Sequence, residues 1–357
     1  MINELSYKDW NKVISNDNFF SYLDIYYTPN YYDTWKKYEN AEPTCLFYET
    51  RKTKFLYSFF KKEIKGFSLK KKCYDVYTAY GYGGILTSNN NFTEKDINDL
   101  NNAIDKWCLK NDIISEFVRE NFIFYQKMQS LRDIQHYHVR TNIYSNLKED
   151  MVSEFSKHAI RDIKKAKKNN LEFFLDKKFE YLNQFIALYT KTMKKLNASK
   201  YFYFNKNYFN AIKRDLKDNA ELLCVFDDGL LIASNICLKS DLSYIYHLGS
   251  SLPEKLYLNP NDFLVSKMFH RGKKLGCHYL SLGGGISNKS NDSLFRYKKK
   301  FGTKQVPIYI GKKIHDEKLY YEIQEEWENK YPRLVNKYKY FLQKHLYTTN
   351  FDYLKDD

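Results

Sequence analysis

With 357 residues, 43% hydrophobic and 18% aromatic including 34 Tyr and 26 Phe, the chain has apolar material for about two domains and is too aromatic to be a disordered tail. Lys and Arg number 58 against 43 Asp and Glu, a net charge of +15; either this reflects a lysine-rich composition bias, or it selects an anionic partner: nucleic acid, nucleotide, phosphate or membrane surface. No run approaches the ~20 apolar residues of a membrane-spanning helix, and Met1-Ile2-Asn3-Glu4 lacks the basic and apolar regions of a signal peptide.

The expected location is therefore cytoplasmic. Six scattered cysteines, without a CxxC pair or a Cys/His cluster, read as reduced buried thiols and predict no metal site. Along the chain, Thr44 to Thr50 and Phe55 to Phe60 are short aromatic runs about a polar turn at 51–54, a hairpin. Thr93-Glu94-Lys95-Asp96 has the form of a capping box, and Ile97, Leu100, Ile104, Trp107 and Cys108 continue at helical spacing, predicting a helix over 94–109 followed by a strand at Ile113 to Val118. Ser153 to Lys168 sets Phe155, Ile160, Ile163 and Ala166 among Lys157, Arg161, Lys164, Lys165, Lys167 and Lys168, the pattern of one basic amphipathic helix. A second helical stretch, 181–196, precedes the aromatic cluster Tyr201-Phe202-Tyr203-Phe204. Strands at 222–226, 230–238 and 242–248, turning at Asp227-Asp228-Gly229 and Ser240-Asp241, form a meander. Asn259 then caps a helix with Pro260 in its first turn and Gly276 as its stop, and Tyr279 to Leu282 is a strand. Hairpin or meander, helix, strand occurs twice, so the chain reads as two copies of one α/β unit, closed by a helix from Lys318 to about Leu346.

Four segments carry residues suited to chemistry. Tyr80-Gly81-Tyr82-Gly83-Gly84 is a turn leaving a strand or the wall of a cleft. Gly283-Gly284-Gly285 follows a predicted strand, where ligands meet backbone, but lacks the spacing of a dinucleotide fingerprint. In Asp292-Ser293-Leu294-Phe295-Arg296-Tyr297-Lys298-Lys299-Lys300-Phe301, the aromatic pair Tyr297 and Phe301 faces inward and sets Lys298 beside the buried side; the run is a solvated helix face, or Lys298 holds a phosphate or oxyanion. On the strand Tyr244-Ile245-Tyr246-His247-Leu248-Gly249-Ser250, alternation puts Tyr244 and Tyr246 on one face and Ile245, His247 and Gly249 on the other. His247 is a structural residue or a base.

Together these segments resemble the FemABX-like branch of the GNAT superfamily, whose best-understood members are peptidyltransferases that build peptidoglycan cross-bridges. The resemblance begins at Asp24-Ile25-Tyr26-Tyr27-Thr28-Pro29-Asn30-Tyr31. It passes through Tyr80 to Gly84, Glu116-Phe117-Val118-Arg119, Arg161-Asp162-Ile163-Lys164-Lys165-Ala166 and Tyr201-Phe202-Tyr203. It ends with Tyr246 to Ser250, Gly283 to Gly285 and Asp292 to Phe301.

It implies an α/β fold of tandem GNAT-like domains, mixed sheets flanked by helices: 1–150, then 151–317 carrying the active site, then 318–357 packing back on the body. It further implies transfer of an acyl or aminoacyl group from an activated donor, aminoacyl-tRNA or acyl-CoA, to an amine on a phosphorylated cell-envelope precursor, a muropeptide or an envelope sugar. No cofactor stays bound, and a lipid-linked acceptor entails peripheral membrane contact. Lys298 falls in an aromatic-Lys-x-x-aromatic motif and is the first catalytic candidate, with His247 or Asp292 for the proton unless the substrate's own phosphate or carboxylate serves. Arg119 and Arg161 are candidates for acceptor phosphates, and Tyr80, Gly81, Tyr82, Gly83, Tyr203, Tyr246, Gly283, Gly284, Gly285, Tyr297 and Phe301 for lining the site. Two departures stand out. No heptad insertion interrupts 151–220, and Leu256 to Asp262 contains no glycine, unlike a loop that cradles the CoA pyrophosphate. The alternatives are acyl-CoA-dependent N-acylation of a nucleotide-linked amino sugar and a non-catalytic RNA-binding protein.

Overall fold

The computed structural model describes residues 2–16, 19–20, 22–121, 131–287 and 289–346. The chain divides into two compact units. One comprises Met1–Ser21, Tyr26–His138 and Ile308–Asp357, the other Tyr22–Ile25 and Val139–Pro307. The division falls at 139 and 307, where the sequence suggested 150 and 317, because the long strands Gln135–Asn146 and Lys304–Ile314 each run through it. The described residues from Ile308 to Leu346 belong with the first unit.

In the first unit, strands Ile2–Glu4, Glu42–Glu49, Lys54–Glu63 and Tyr74–Tyr77 pair antiparallel in that order. Tyr74–Tyr77 then pairs parallel with Ile113–Arg119, and Lys304–Ile314 pairs antiparallel with Ile113–Arg119. A parallel neighbour needs a crossover, which is helix Glu94–Lys110. Its Thr93 accepts from the Asp96 amide and Asp96 accepts from the Thr93 amide, a complete capping box. Leu100, Ile104, Trp107 and Cys108 bury against Leu46, Phe55, Tyr57, Phe59 and Val118.

The second unit repeats this plan. Glu172–Asp176, Ala220–Asp227, Leu230–Lys239 and Ser243–Ser251 pair antiparallel, Ser243–Ser251 pairs parallel with Tyr279–Gly283 through the crossover helix Pro260–Lys274, and Gln135–Asn146 closes the edge. Helices Lys157–Lys168 and Pro260–Lys274 cover one face, burying Ala159, Ile163, Phe263, Met268 and Phe269 against Leu223, Val225, Cys237 and Tyr244. Helices Leu182–Lys195 and Lys206–Ala211 contribute Phe185, Tyr189 and Phe209, which pack on one another.

Several expectations change in detail. The basic helix is two, Met151–Glu154 and Lys157–Lys168, because Phe155 turns extended to enter the core and Ser156 caps the second. Asn259 starts its helix in the left-handed conformation, φ 56°, without a side-chain cap bond. The C-terminal helix stops at Lys330, just before Pro332, and the chain continues as a short 3-10 turn at Pro332–Leu334. Strands 135–146 and 304–314 escape a reading by apolar alternation because long parts of each are exposed or half-buried and polar.

Candidate active site

In the second unit the parallel ladder between Ser243–Ser251 and Tyr279–Gly283 ends at Ile245 and Ser281. Past that point each strand is bulged against its other neighbour. The register shifts opposite Ile236 and Cys237, leaving His247 as the extra residue, and again between Ser281 and Gly283, leaving Leu282. A bulge bends and twists its strand, so the two parallel strands diverge into a fork.

Lys298 reaches this fork. It lies on the helix Ser293–Lys299, its Nζ donates to the Gly284 carbonyl at 2.9 Å and stands 5.5 Å from the centre of the Tyr246 ring. Thus one ammonium contacts both prongs. Burial, then the Arg140 guanidinium, lowers its pKa to about 8, with Asp292 pulling weakly the other way. It is protonated at neutral pH.

The three glycines are required by this packing. Gly283 has φ +73°, and a side chain there would meet Lys298 Nζ at 3.3 Å; at Gly284 it would meet the Thr141 carbonyl at 2.7 Å, and at Gly285 the Asp292 carboxylate at 2.5 Å. Asp292 is occupied structurally. Its carboxylate accepts from the amides of Phe295, Ile286 and Ser287 and from the Ser287 hydroxyl at 2.9–3.1 Å, which holds it below the usual carboxylate range and leaves it a poor proton acceptor. The role of Asp292 is to cap the lysine's helix and tie it to the glycine loop.

His247 lies on the other side of its strand. Its Nε2 is 2.8 Å from the Tyr208 hydroxyl, on helix Lys206–Ala211, and burial lowers its pKa to about 3. Tyr246 instead packs with the helix Pro260–Lys274 core. The bulge also re-aims Gly249: a side chain there would strike the Tyr246 hydroxyl and Asn235, so Gly249 faces with Tyr246 and not with His247 as simple alternation suggested. Tyr297 borders the site with a buried hydroxyl that has no hydrogen-bond partner, and burial, with Asp262 and Tyr246 nearby, pushes its phenol well above 10.0. Phe301 is a core residue, fully buried against Phe155.

The remaining candidates have other partners. Arg161 is exposed with its guanidinium on Asp162 at 3.2 Å, and Tyr203 is half-buried after the turn Lys200–Phe202. Tyr80, Gly81, Tyr82, Gly83 and Arg119 belong to the first unit. There the region past the parallel ladder is stitched shut. Thr78 Oγ1 accepts from the Arg119 amide at 2.9 Å, the Gly83 amide donates to the Arg119 carbonyl at 2.7 Å, and the Tyr27 hydroxyl donates to the Gly83 carbonyl at 2.9 Å. Tyr80 stacks near Trp35 and Tyr82 edges onto Tyr26 at ring distances of 5.0 and 5.5 Å. Sequence reasoning missed Arg140, whose strand it did not anticipate, and Tyr208, whose relation to His247 spans 39 residues.

A cluster with metal-ligand chemistry, Cys108, Glu116 and His315 in the first unit, is an ion-pair core. Glu116 accepts two bonds from Arg132 at 2.8 Å, one from Tyr57 at 2.7 Å, and lies 2.9 Å from His315. A divalent cation there would face the buried guanidinium.

Residues 153–299 match the acetyltransferase (GNAT) domain family. The match lies within the second unit. The two strands of the fork, their bulges and Lys298 all fall within the matched residues. No curated protein matches the chain. Among solved structures, FemX is similar over 90% of this chain and 99% of its own, with a TM-score of 0.68 at 12% identity. A C-terminal domain assigned to a lysylphosphatidylglycerol synthetase of Agrobacterium fabrum covers 91% of this chain and 96% of its own, with a TM-score of 0.52 at 10% identity. A conserved protein of unknown function from Bacteroides thetaiotaomicron covers 87% and 98%, at 0.52 and 8%. At such identities these are likenesses of fold, and the whole chain has a fold similar to that of FemX. Among the described residues no helix is long and apolar enough to cross a membrane.

Proposed function

We propose that the GNAT domain transfers an acyl or aminoacyl group from an activated ester or thioester to an amine on a phosphorylated cell-envelope precursor, a muropeptide or an envelope sugar, in the cytoplasm. The observation that carries this reading is the Lys298 ammonium spanning the fork between Tyr246 and Gly284.

Attack of a neutral amine on the acyl carbon forms the C–N bond and places negative charge on the carbonyl oxygen; collapse breaks the bond to the leaving oxygen or sulfur, which takes up the amine's proton. A fixed cation beside the oxygen favours the intermediate, and burial strengthens that interaction. Lys298, cationic at neutral pH, supplies this charge. His247 is held neutral and serves in this reading to position its strand through Tyr208; the proton passes through the substrate's own groups. The second unit has the open fork and the first has its counterpart closed, which supports catalysis in the second and a binding role for the Tyr80 to Gly83 loop and Arg119.

The glycine-free approach to helix Pro260–Lys274 favours an aminoacyl ester over a CoA thioester as donor. Equilibrium binding to charged tRNA, uncharged tRNA and acetyl-CoA at low and moderate salt tests this: selective retention of charged tRNA is expected. Preference for acetyl-CoA would shift the donor to acyl-CoA. Equal, steeply salt-dependent binding of charged and uncharged RNA without transfer would overturn the enzymatic reading.

A further inference from the structure

The basic helix Lys157–Lys168 takes no part in the fork chemistry, yet it carries a dense set of cations. Ala159, Ile163 and Ala166 are buried while Lys157, Lys164, Lys165, Lys167 and Lys168 are exposed. Helix Pro260–Lys274 packs beside it in the same core and adds half-buried Lys267 and exposed His270, Lys273 and Lys274. The two rows meet, since Lys167 acts electrostatically on both Lys267 and His270.

The acids of the two helices do not neutralise this face. They are Asp162 and Asp262, and Lys300 holds both, at 3.2 and 2.9 Å. Among the described residues Lys157, Lys164, Lys165, Lys167, Lys168, Lys267 and Lys274 have no ion-pair partner. Lys267 lies over the Phe263 and Phe173 rings at 4.8 and 5.0 Å, so its stem covers apolar surface while its charge stays outward.

The chemistry of the face separates two polyanions. RNA is held by arginine forks and by rings that stack on bases. Both arginines of this helix pair are engaged, Arg161 by Asp162 and Arg271 by Glu221, and neither helix exposes a Tyr, Phe or Trp. What remains is an array of lysine point charges along a helix about 18 Å long, which suits a plane of anionic headgroups.

We propose that the face formed by helices Lys157–Lys168 and Pro260–Lys274 docks the protein peripherally on a bilayer of anionic lipid. Each lysine near such a leaflet strengthens binding about fivefold, and the attraction is screened by salt.

The test is flotation of the purified full chain with vesicles of phosphatidylcholine alone or with 30% phosphatidylglycerol. The variant Lys164→Glu/Lys167→Glu/Lys267→Glu/Lys274→Glu is compared with a control of equal charge change at other exposed lysines, Lys8→Glu/Lys36→Glu/Lys37→Glu/Lys95→Glu. The expected result is binding to the anionic vesicles only, reduced by at least about 600-fold in the first variant and less than tenfold in the control, with unchanged thermal midpoints. Absence of anionic-vesicle binding, equal loss in both variants, equal binding to neutral vesicles, or loss in the first variant of RNA binding in place of vesicle binding would each overturn the proposal.

Discussion

The Lys298 ammonium is held where burial penalises it, and its pKa falls from 10.5 to about 8. The folded state gives up this proton before the unfolded chain does, so between about pH 8 and 10.5 stability rises with pH, and below 8 the buried charge is a standing cost. Lys298→Met therefore leaves the thermal midpoint at pH 7 equal or higher, measurable by calorimetry, while removing the cation from the fork. Substitutions in the surrounding loop act in the opposite direction. Gly284→Ala drives a methyl against the Thr141 carbonyl, and Asp292→Ala removes the helix cap for about 1 kcal/mol; denaturant titration is expected to show both less stable, and both slow transfer by displacing Lys298. The glycine triplet and Lys298 were legible as chemistry-bearing residues in the sequence. That Asp292 is consumed by four donors was not, because its partners sit in an irregular loop with no periodic signal.

At the scale of elements, what could be read followed from local rules. The capping box at Thr93, the Asp227-Asp228-Gly229 turn and the stop at Gly276 each need only a few adjacent residues, and each stands where expected. The fork depends instead on two bulges, at His247 and Leu282, which arise from pairing with distant strands; a period-two reading placed His247 correctly opposite Tyr246 but carried Gly249 to the wrong face. His247 turns away from the lysine and is neutral, so His247→Gln, which preserves a polar contact to Tyr208, is expected to keep kcat within about fivefold and to leave its pH profile unmoved. In the first unit, Arg132→Met strands the buried Glu116 carboxylate, with an expected loss of ~3–5 kcal/mol on urea unfolding. Burial raises the Glu116 pKa, but Arg132 and His315 together hold it well below the usual carboxylate range, so its contribution is present at neutral pH and lost progressively as pH falls from the ordinary carboxylate range to that low folded pKa.

For the whole molecule, the duplicated order of hairpin or meander, crossover helix and strand was visible from hydrophobic patterning, and both units show it as antiparallel strands leading to one parallel pair. The strand that closes each sheet was not visible. Gln135–Asn146 is polar along much of its length and Lys304–Ile314 at both ends; both come from the joins between units, and no local pattern tells which strand a joining strand will pair with. Past the parallel pair the two units differ: in one the Gly83 amide bonds the Arg119 carbonyl, and in the other Lys298 bonds the Gly284 carbonyl. If the first unit binds the acceptor, Tyr82→Phe raises KM for the acceptor with kcat unchanged, as steady-state kinetics would show.

In the proposed reaction a protonated Lys298 in the fork stabilises the oxyanion of acyl transfer. The decisive measurement is the single-turnover transfer rate, from pH 6 to 10, of the wild-type chain, Lys298→Met and Lys298→Arg. Expected are a wild-type rate that falls as pH rises through about 8, a loss of at least about 100-fold in a folded Lys298→Met, and partial activity in Lys298→Arg that persists to higher pH because the guanidinium stays charged. A folded Lys298→Met that transfers at the wild-type rate with the wild-type pH profile would contradict this role.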